Sequence, residues 1–124
     1  MEIIEVDHIH ITVPEAALDS AKRFYGSVLG LEEIARPAST SGRAGAWYRL
    51  GQVEIHLSVE DAATSNLKSK RHICYIVGDI EKAEAEFRDA GVEILTDDRP
   101  IEGRKRFFVR DPGGNRLEIA QIAL

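Results

Sequence analysis

A chain of 124 residues, 44% hydrophobic and 30% charged, has the balance of an ordinary folded protein rather than a disordered or fibrous one. That length suits one domain, or two small modules sharing a sheet, and is too short for two independently stable domains. A formal net charge of -5 gives no general attraction to a phosphate backbone, so nucleic acid is not an expected partner. The acidic start, Met1 to Asp7, lacks the basic character of a secretory signal, and no apolar run approaches bilayer-spanning length. A single Cys74 cannot close an intrachain disulfide. These features predict a cytoplasmic chain with no membrane partner.

Glu5 to Val13 is rich in β-branched residues and alternates, and Pro14 cannot donate to a continuing ladder, so the first element reads as a strand. Leu18, Ala21, Tyr25 and Val28 recur at helical spacing over Glu15 to Leu29, and Gly30 supplies the stop. Short strands follow over Leu31 to Arg36, Ala46 to Leu50 and Gln52 to Val59, the last two joined at Gly51. The order is βαβββ. It then repeats: a strand from Arg71 to Val77, a helix from Asp79 to Ala90 capped by Asp79 and stopped by Gly91, and strands over Val92 to Leu95, Arg104 to Arg110 and Asn115 to Ile122.

Ile80, Ala83, Phe87 and Ala90 repeat the spacing of the first helix, and His72 to Val77 repeats the His8 to Val13 offset. An internal duplication follows: module one over residues 1–60, a polar linker over 61–70 and module two over 71–124, together a single domain. The fold class is α+β, two tandem βαβββ modules forming curved mixed sheets around a cleft.

Residues two apart on a strand share a face. In the strand ending at Val59, Val53, Ile55, Leu57 and Val59 form an apolar set and Glu54, His56 and Ser58 a polar one; in the last strand, Leu117 and Ile119 oppose Arg116 and Glu118. His8, His10, His56 and His72 all fall on strands. Any one of them alone reads better as a half-buried packing residue than as a ligand, and Glu118 alone as an exposed carboxylate paired with Arg116 or Arg110. The duplication changes that weighting, because His8 matches His72 and His56 matches Glu118. Three imidazoles and a carboxylate around one point suit Fe, Ni, Zn, Mn or Co rather than Ca or Mg. His10 has Cys74 as its counterpart, and both are read as pocket lining.

The runs Val-Asp-His-Ile-His-Ile-Thr-Val and Ala-Lys-Arg-Phe-Tyr-Gly-Ser-Val-Leu-Gly-Leu, with the ending Phe-Phe-Val-Arg-Asp-Pro-Gly-Gly-Asn-Arg-Leu-Glu-Ile, resemble the vicinal oxygen chelate superfamily over nearly the whole chain. That superfamily includes glyoxalase I, fosfomycin-resistance transferases, extradiol dioxygenases and bleomycin-resistance proteins. The resemblance implies a homodimer with a divalent transition metal on His8, His72 and Glu118, chelated by two neighbouring oxygens of a small substrate. It also implies lyase, isomerase or dioxygenase chemistry, with Glu118 and His56 as catalytic residues. The fourth-strand glutamate of the glyoxalase I group falls on His56, a departure that leaves His56 as a fourth ligand, the favoured role, or as a base. The other reading is a bleomycin-resistance-like protein that sequesters an aromatic or antibiotic ligand without catalysis.

The loop Arg36 to Gly45 reads either as a flap or as a plain connector, with Arg43 a candidate for the substrate pocket. Arg99, Arg104, Lys105, Arg106 and Arg110 concentrate positive charge; they read as a solvated strand edge or, with Arg104 in the pocket, as a draw for an anionic substrate. Of Trp47, Tyr48, Phe107 and Phe108, one aromatic on each strand is expected in the core and the other, Trp47 in module one, along the pocket.

Overall fold

A computed structural model describes residues 1–61 and 66–123, and divides the chain into two compact units, Met1–Thr64 and Ser65–Leu124. The expected linker over 61–70 includes residues 62–65, which lie outside the described residues. Each unit is a small mixed sheet with a helix, so the chain is α+β. Among the described residues no helix is long and apolar enough to cross a membrane.

In the first unit the sheet order is β1 (His8–Val13), β4 (Val53–Val59), β3 (Gly45–Leu50) and β2 (Glu32–Ile34). β1 runs parallel to β4, and the other pairs are antiparallel. β1 is shorter than its composition suggests because β4 begins at Val53, leaving Glu5 and Val6 without a neighbouring strand. A single 3-10 turn, Glu15–Ala17, leads into α1 (Leu18–Arg23), which widens into a π-turn over Phe24–Val28. Ala21, Phe24 and Tyr25 are the buried stripe of this segment, three and four residues apart, and Tyr25 meets the Tyr48 ring at 6.2 Å. Gly30, at φ +72°, takes the left-handed conformation that ends the helix. The loop after β2 contains a short helix, α2 (Ala38–Ser41), whose end is held by the Arg36 guanidinium on the carbonyls of Ser41 and Arg43. Gly45 lies at φ +155°, where a Cβ would run into the Leu57 carbonyl oxygen, so only glycine allows β3 this close to β4.

The second unit has the order β5 (His72–Ile76), β7 (Arg116–Ile122), β6 (Arg104–Arg110), with β5 parallel and β6 antiparallel to β7. Asp79 caps α3 (Ile80–Asp89) by accepting from the Lys82 N–H at 3.0 Å. Ile80 and Phe87 are the buried residues of α3, and Phe87 meets Phe107 edge to face at 5.9 Å. The strand expected over Val92 to Leu95 reduces to one bridge, Leu95 to Phe108. Beyond it the chain bends away, with the Asp97 carboxylate accepting from the Arg99 N–H and from Arg106. The Asp-Pro-Gly-Gly-Asn turn is an architectural device. Buried Asp111 accepts from the N–H groups of Gly113 and Asn115, both at 2.9 Å, and so sets the register with which β7 starts.

The two sheets repeat one register. His10 pairs across from His56 as Cys74 pairs across from Glu118, and Trp47 lies opposite His56 as Phe108 lies opposite Glu118.

A candidate metal and substrate site

The polar face of the first sheet carries a column of flat rings. Parallel pairing of β1 with β4 and antiparallel pairing of β3 with β4 bring His8, His56 and Trp47 to one side. The His56 ring lies 3.7 Å from the indole of Trp47, 4° from parallel, and 4.1 Å from the His8 ring, 15° from parallel. His56 Nε2 meets Glu54 Oε1 at 2.9 Å, and its side chain is 8% exposed against 42% for His8. An imidazole holds an ion in the plane of its ring, so two stacked rings cannot share one as they stand. His8 is the more exposed ring, held by the Asp7 carboxylate, whereas His56 is clamped by Trp47 and Glu54. His8 Nδ1 contacts Asp7 Oδ2 at 2.7 Å, and His10 Nε2 contacts the Ser58 hydroxyl at 2.6 Å.

In the second unit His72 Nε2 lies 3.2 Å from Glu118 Oε1, while His72 Nδ1 lies 2.9 Å from the Lys70 carbonyl oxygen. A carbonyl only accepts, so Nδ1 carries the hydrogen and Nε2 is the ring nitrogen that faces the carboxylate. With a proton on Nε2 the contact is an ion pair; with Nε2 bare, two electron-pair donors face each other and a cation takes the proton's place. Ligand distances of about 2.0–2.2 Å around an ion set neighbouring donors roughly 3.0–3.4 Å apart. A separation of 3.2 Å is that of an ordinary imidazolium–carboxylate pair and also that of two ligands of one ion.

Glu118 is buried, and both of its oxygens are engaged. Arg106 Nη1 donates to Oε1 at 3.1 Å, Arg104 Nη1 donates to Oε2 at 3.1 Å, and the Cys74 thiol lies 3.2 Å from Oε2. Burial pushes the carboxyl pKa up, but the bonds from Cys74 and Arg104 and the charges of Arg106 and His72 outweigh it and hold Glu118 below the usual carboxylate range. The Cys74 thiol is pushed up to about 11, first by burial and then by its bond to Glu118. Arg106 also makes a two-pronged pair with Asp97, at 2.8 and 3.3 Å, and donates to the Arg99 carbonyl at 2.9 Å.

These contacts bear on two of the alternative readings. Glu118 is not an exposed carboxylate paired with Arg116 or Arg110: Arg110 donates to the carbonyls of Asn66 and Gly114, and the Arg116 guanidinium lies 4.0 Å over the Phe108 ring. Nor is the basic cluster a uniformly solvated edge. Strand alternation turns Arg104 and Arg106 toward Glu118 and leaves Lys105 on the other side, paired with Glu81. Tyr48 is in the core as expected and Trp47 is on the polar face, but Phe107 and Phe108 are both buried, because the His72 ring and the Arg116 guanidinium cover Phe108.

Pair by pair, the structure brings His8 to His56 and His72 to Glu118, with His10 and Cys74 beside them. Among the described residues no group of three or more His, Cys, Asp or Glu side chains gathers as a metal site. Arg43 is exposed on the loop after α2, and Arg104 reaches Glu118. A groove of about 680 Å³ in the first unit is lined by Arg36, Trp47, Arg49 and Glu54 among others. In the second unit a groove of about 400 Å³ is lined by Ile80, Asp97, Arg104 and Phe107 among others.

Residues 6–119 match the sequence profile of the Glyoxalase/Bleomycin resistance protein/Dioxygenase superfamily, nearly the whole chain. The chain belongs to that superfamily. A glyoxalase family protein from Bacillus anthracis is 32% identical, with a TM-score of 0.85 over 98% of each chain. A lactoylglutathione lyase from Agrobacterium tumefaciens has a TM-score of 0.72 at 19% identity over 97% of this chain and 95% of its own. The fosfomycin resistance protein FosX from Listeria monocytogenes, in its monoclinic form, has a TM-score of 0.82 at 17% identity over 99% and 94%. At those identities the last two show the superfamily's fold alone. No curated protein matches the chain in sequence.

Sequence reasoning missed the partners that fix the rings. Asp7 and Glu54 were within its reach, since Asp7 adjoins His8 and Glu54 shares a strand face with His56. The Asp97–Arg106 pair carried no such signal, because Asp97 lies on an irregular loop.

Proposed function

We propose that this superfamily member is a metal-dependent lyase, isomerase or dioxygenase acting on a small oxygen-rich molecule. The observation that carries the reading is the approach of His72 Nε2 to the buried Glu118 carboxylate at 3.2 Å, its other ring nitrogen tied to a carbonyl. The ion is Fe, Ni, Zn, Mn or Co, held by Glu118, His72 and His8, the set that the resemblance implies. The protein acts as a homodimer in the cytoplasm, and the ligands of one ion come from one chain or from two. Bound there, the ion supplies Lewis-acid stabilisation of a developing oxyanion or enolate.

His56 is better suited to moving a proton than to ligation, because Trp47 and Glu54 fix its ring. With Nε2–H given to Glu54, the proton-accepting atom is Nδ1. A second reading, sequestration of an aromatic or antibiotic ligand without catalysis, draws on the two guanidinium groups that occupy Glu118.

Elemental analysis of the full chain purified without chelator separates the two readings. Close to one transition-metal ion per chain, lost in His72→Ala, is the expected result; no stoichiometric metal in the parent protein would replace the enzyme with the binding protein. A screen of hemithioacetals, catechols and acyl-CoA epimers then identifies the reaction.

A further inference from the structure

On the polar face of the second sheet, β6 contributes Arg104, Arg106 and Arg110 and β7 contributes Arg116 and Glu118. Four guanidinium groups therefore stand with two carboxylates, Glu118 and the Asp97 that pairs with Arg106. The surplus is positive, and a divalent ion on Glu118 enlarges it. The four arginines are not equivalent. Arg106 is fixed by Asp97, the Arg99 carbonyl and Glu118, with its side chain 14% exposed. Arg110 is spent on backbone carbonyls. Arg104 makes one ion pair through Nη1, with Cys74 Sγ at 4.0 Å, and its side chain is 32% exposed. Among the described residues its Nε and Nη2 have no partner, which leaves most of a planar donor fork unused.

We infer that Arg104 is the anion receptor of this site: it exchanges Glu118 for a carboxylate, phosphonate or phosphate group of the substrate. The inference rests on the proposed metal site for its place in the reaction. A guanidinium meets an oxyanion through two parallel N–H bonds, whereas an ammonium offers only a point charge. An ion on Glu118 weakens the carboxylate's hold on Arg104, and the anionic group of the substrate offsets the added charge. Arg106, braced by Asp97, keeps Glu118 in place during the exchange. The substrate class is thus a small oxygen-rich molecule bearing an oxyanion, and Arg104 selects for it.

The test is calorimetric titration of the full chain with inorganic phosphate, metal-free and Mn-loaded, for the parent protein, Arg104→Gln, Arg104→Lys and Lys105→Gln. Lys105→Gln removes the same charge from the opposite side of the same strand. Arg104→Gln is expected to weaken phosphate binding at least tenfold, Arg104→Lys to give an intermediate loss, and Lys105→Gln to stay within twofold of the parent; Arg104→Gln keeps or raises its metal content. Equal losses in Arg104→Gln and Lys105→Gln, or no phosphate binding by the parent in either form, would overturn the inference. Metal uptake without phosphate binding removes the receptor and leaves the enzyme reading standing. Phosphate binding through Arg104 without metal uptake removes the enzyme reading and keeps the receptor.

Discussion

The His56 imidazole lies flat on the Trp47 indole, 3.7 Å away and 4° from parallel, and Glu54 Oε1 takes its Nε2 at 2.9 Å. Cross-strand ring pairs of this kind add about 0.5–1.5 kcal/mol beyond the area they bury. Trp47→Leu is expected to lower stability by about 1–2 kcal/mol in urea unfolding, with Trp47→Phe recovering most of the loss. Equal losses in the two variants would mean that the indole only fills space.

Glu118 gives stability a pH dependence whose sign follows from its depressed pKa. A carboxylate with a lower pKa folded than unfolded contributes stability above its unfolded value, about 4.3, and loses it as the pH falls through the folded value. Removing the buried charge strands Arg104 and unbalances Arg106, so Glu118→Gln is expected to cost on the order of 3 kcal/mol at pH 7. The gap to the parent protein narrows as the pH falls below the unfolded value of about 4.3 and closes as the pH falls through the lower folded value, where the parent also carries a neutral side chain. Unfolding free energies at pH 7, 5 and 3.5 test this, and a gap independent of pH contradicts it.

Cys74 is expected to be a poor nucleophile although its residue is exposed. With the thiol pKa raised from 9.0 to about 11 by burial and by Glu118, it is almost wholly protonated at pH 8. Its reaction with an aromatic disulfide reagent at pH 8 is expected to be roughly a hundredfold slower than that of an unperturbed thiol, and faster in Glu118→Gln. An unperturbed rate in the parent protein would show that the thiol does not donate to Glu118.

His10 is committed elsewhere on the face it shares with His8 and His56, with Nε2 2.6 Å from the Ser58 hydroxyl. His10→Ala is expected to leave the metal content of the purified protein unchanged, and elemental analysis checks it. Loss of the metal in that variant would reverse the assignment of His10 as pocket lining.

Much of the fold and part of the site were legible in the residues. Period-two alternation on strands and the i, i+3, i+4 stripe on helices are consequences of backbone geometry, so the faces carrying His8, His56 and Glu118 followed from spacing, and His72 was placed by its match to His8 in the duplication. Gly30, Gly91 and the Asp79 cap marked helix ends because a positive φ and an orphan N–H make local demands. The strand expected over Val92 to Leu95 shrank to one bridge because pairing depends on a neighbour, not on propensity.

What the chain alone determined is therefore local: which residues share a face, where helices stop, and that the two halves repeat one plan. What only the tertiary structure decided is which charge meets which. Arg104 and Arg106 rather than Arg110 and Arg116 hold Glu118, Trp47 and Glu54 clamp His56, and Asp97 braces Arg106. Strand register and the path of an irregular loop set those partners, and both are settled by packing over the whole sheet rather than by any window of sequence.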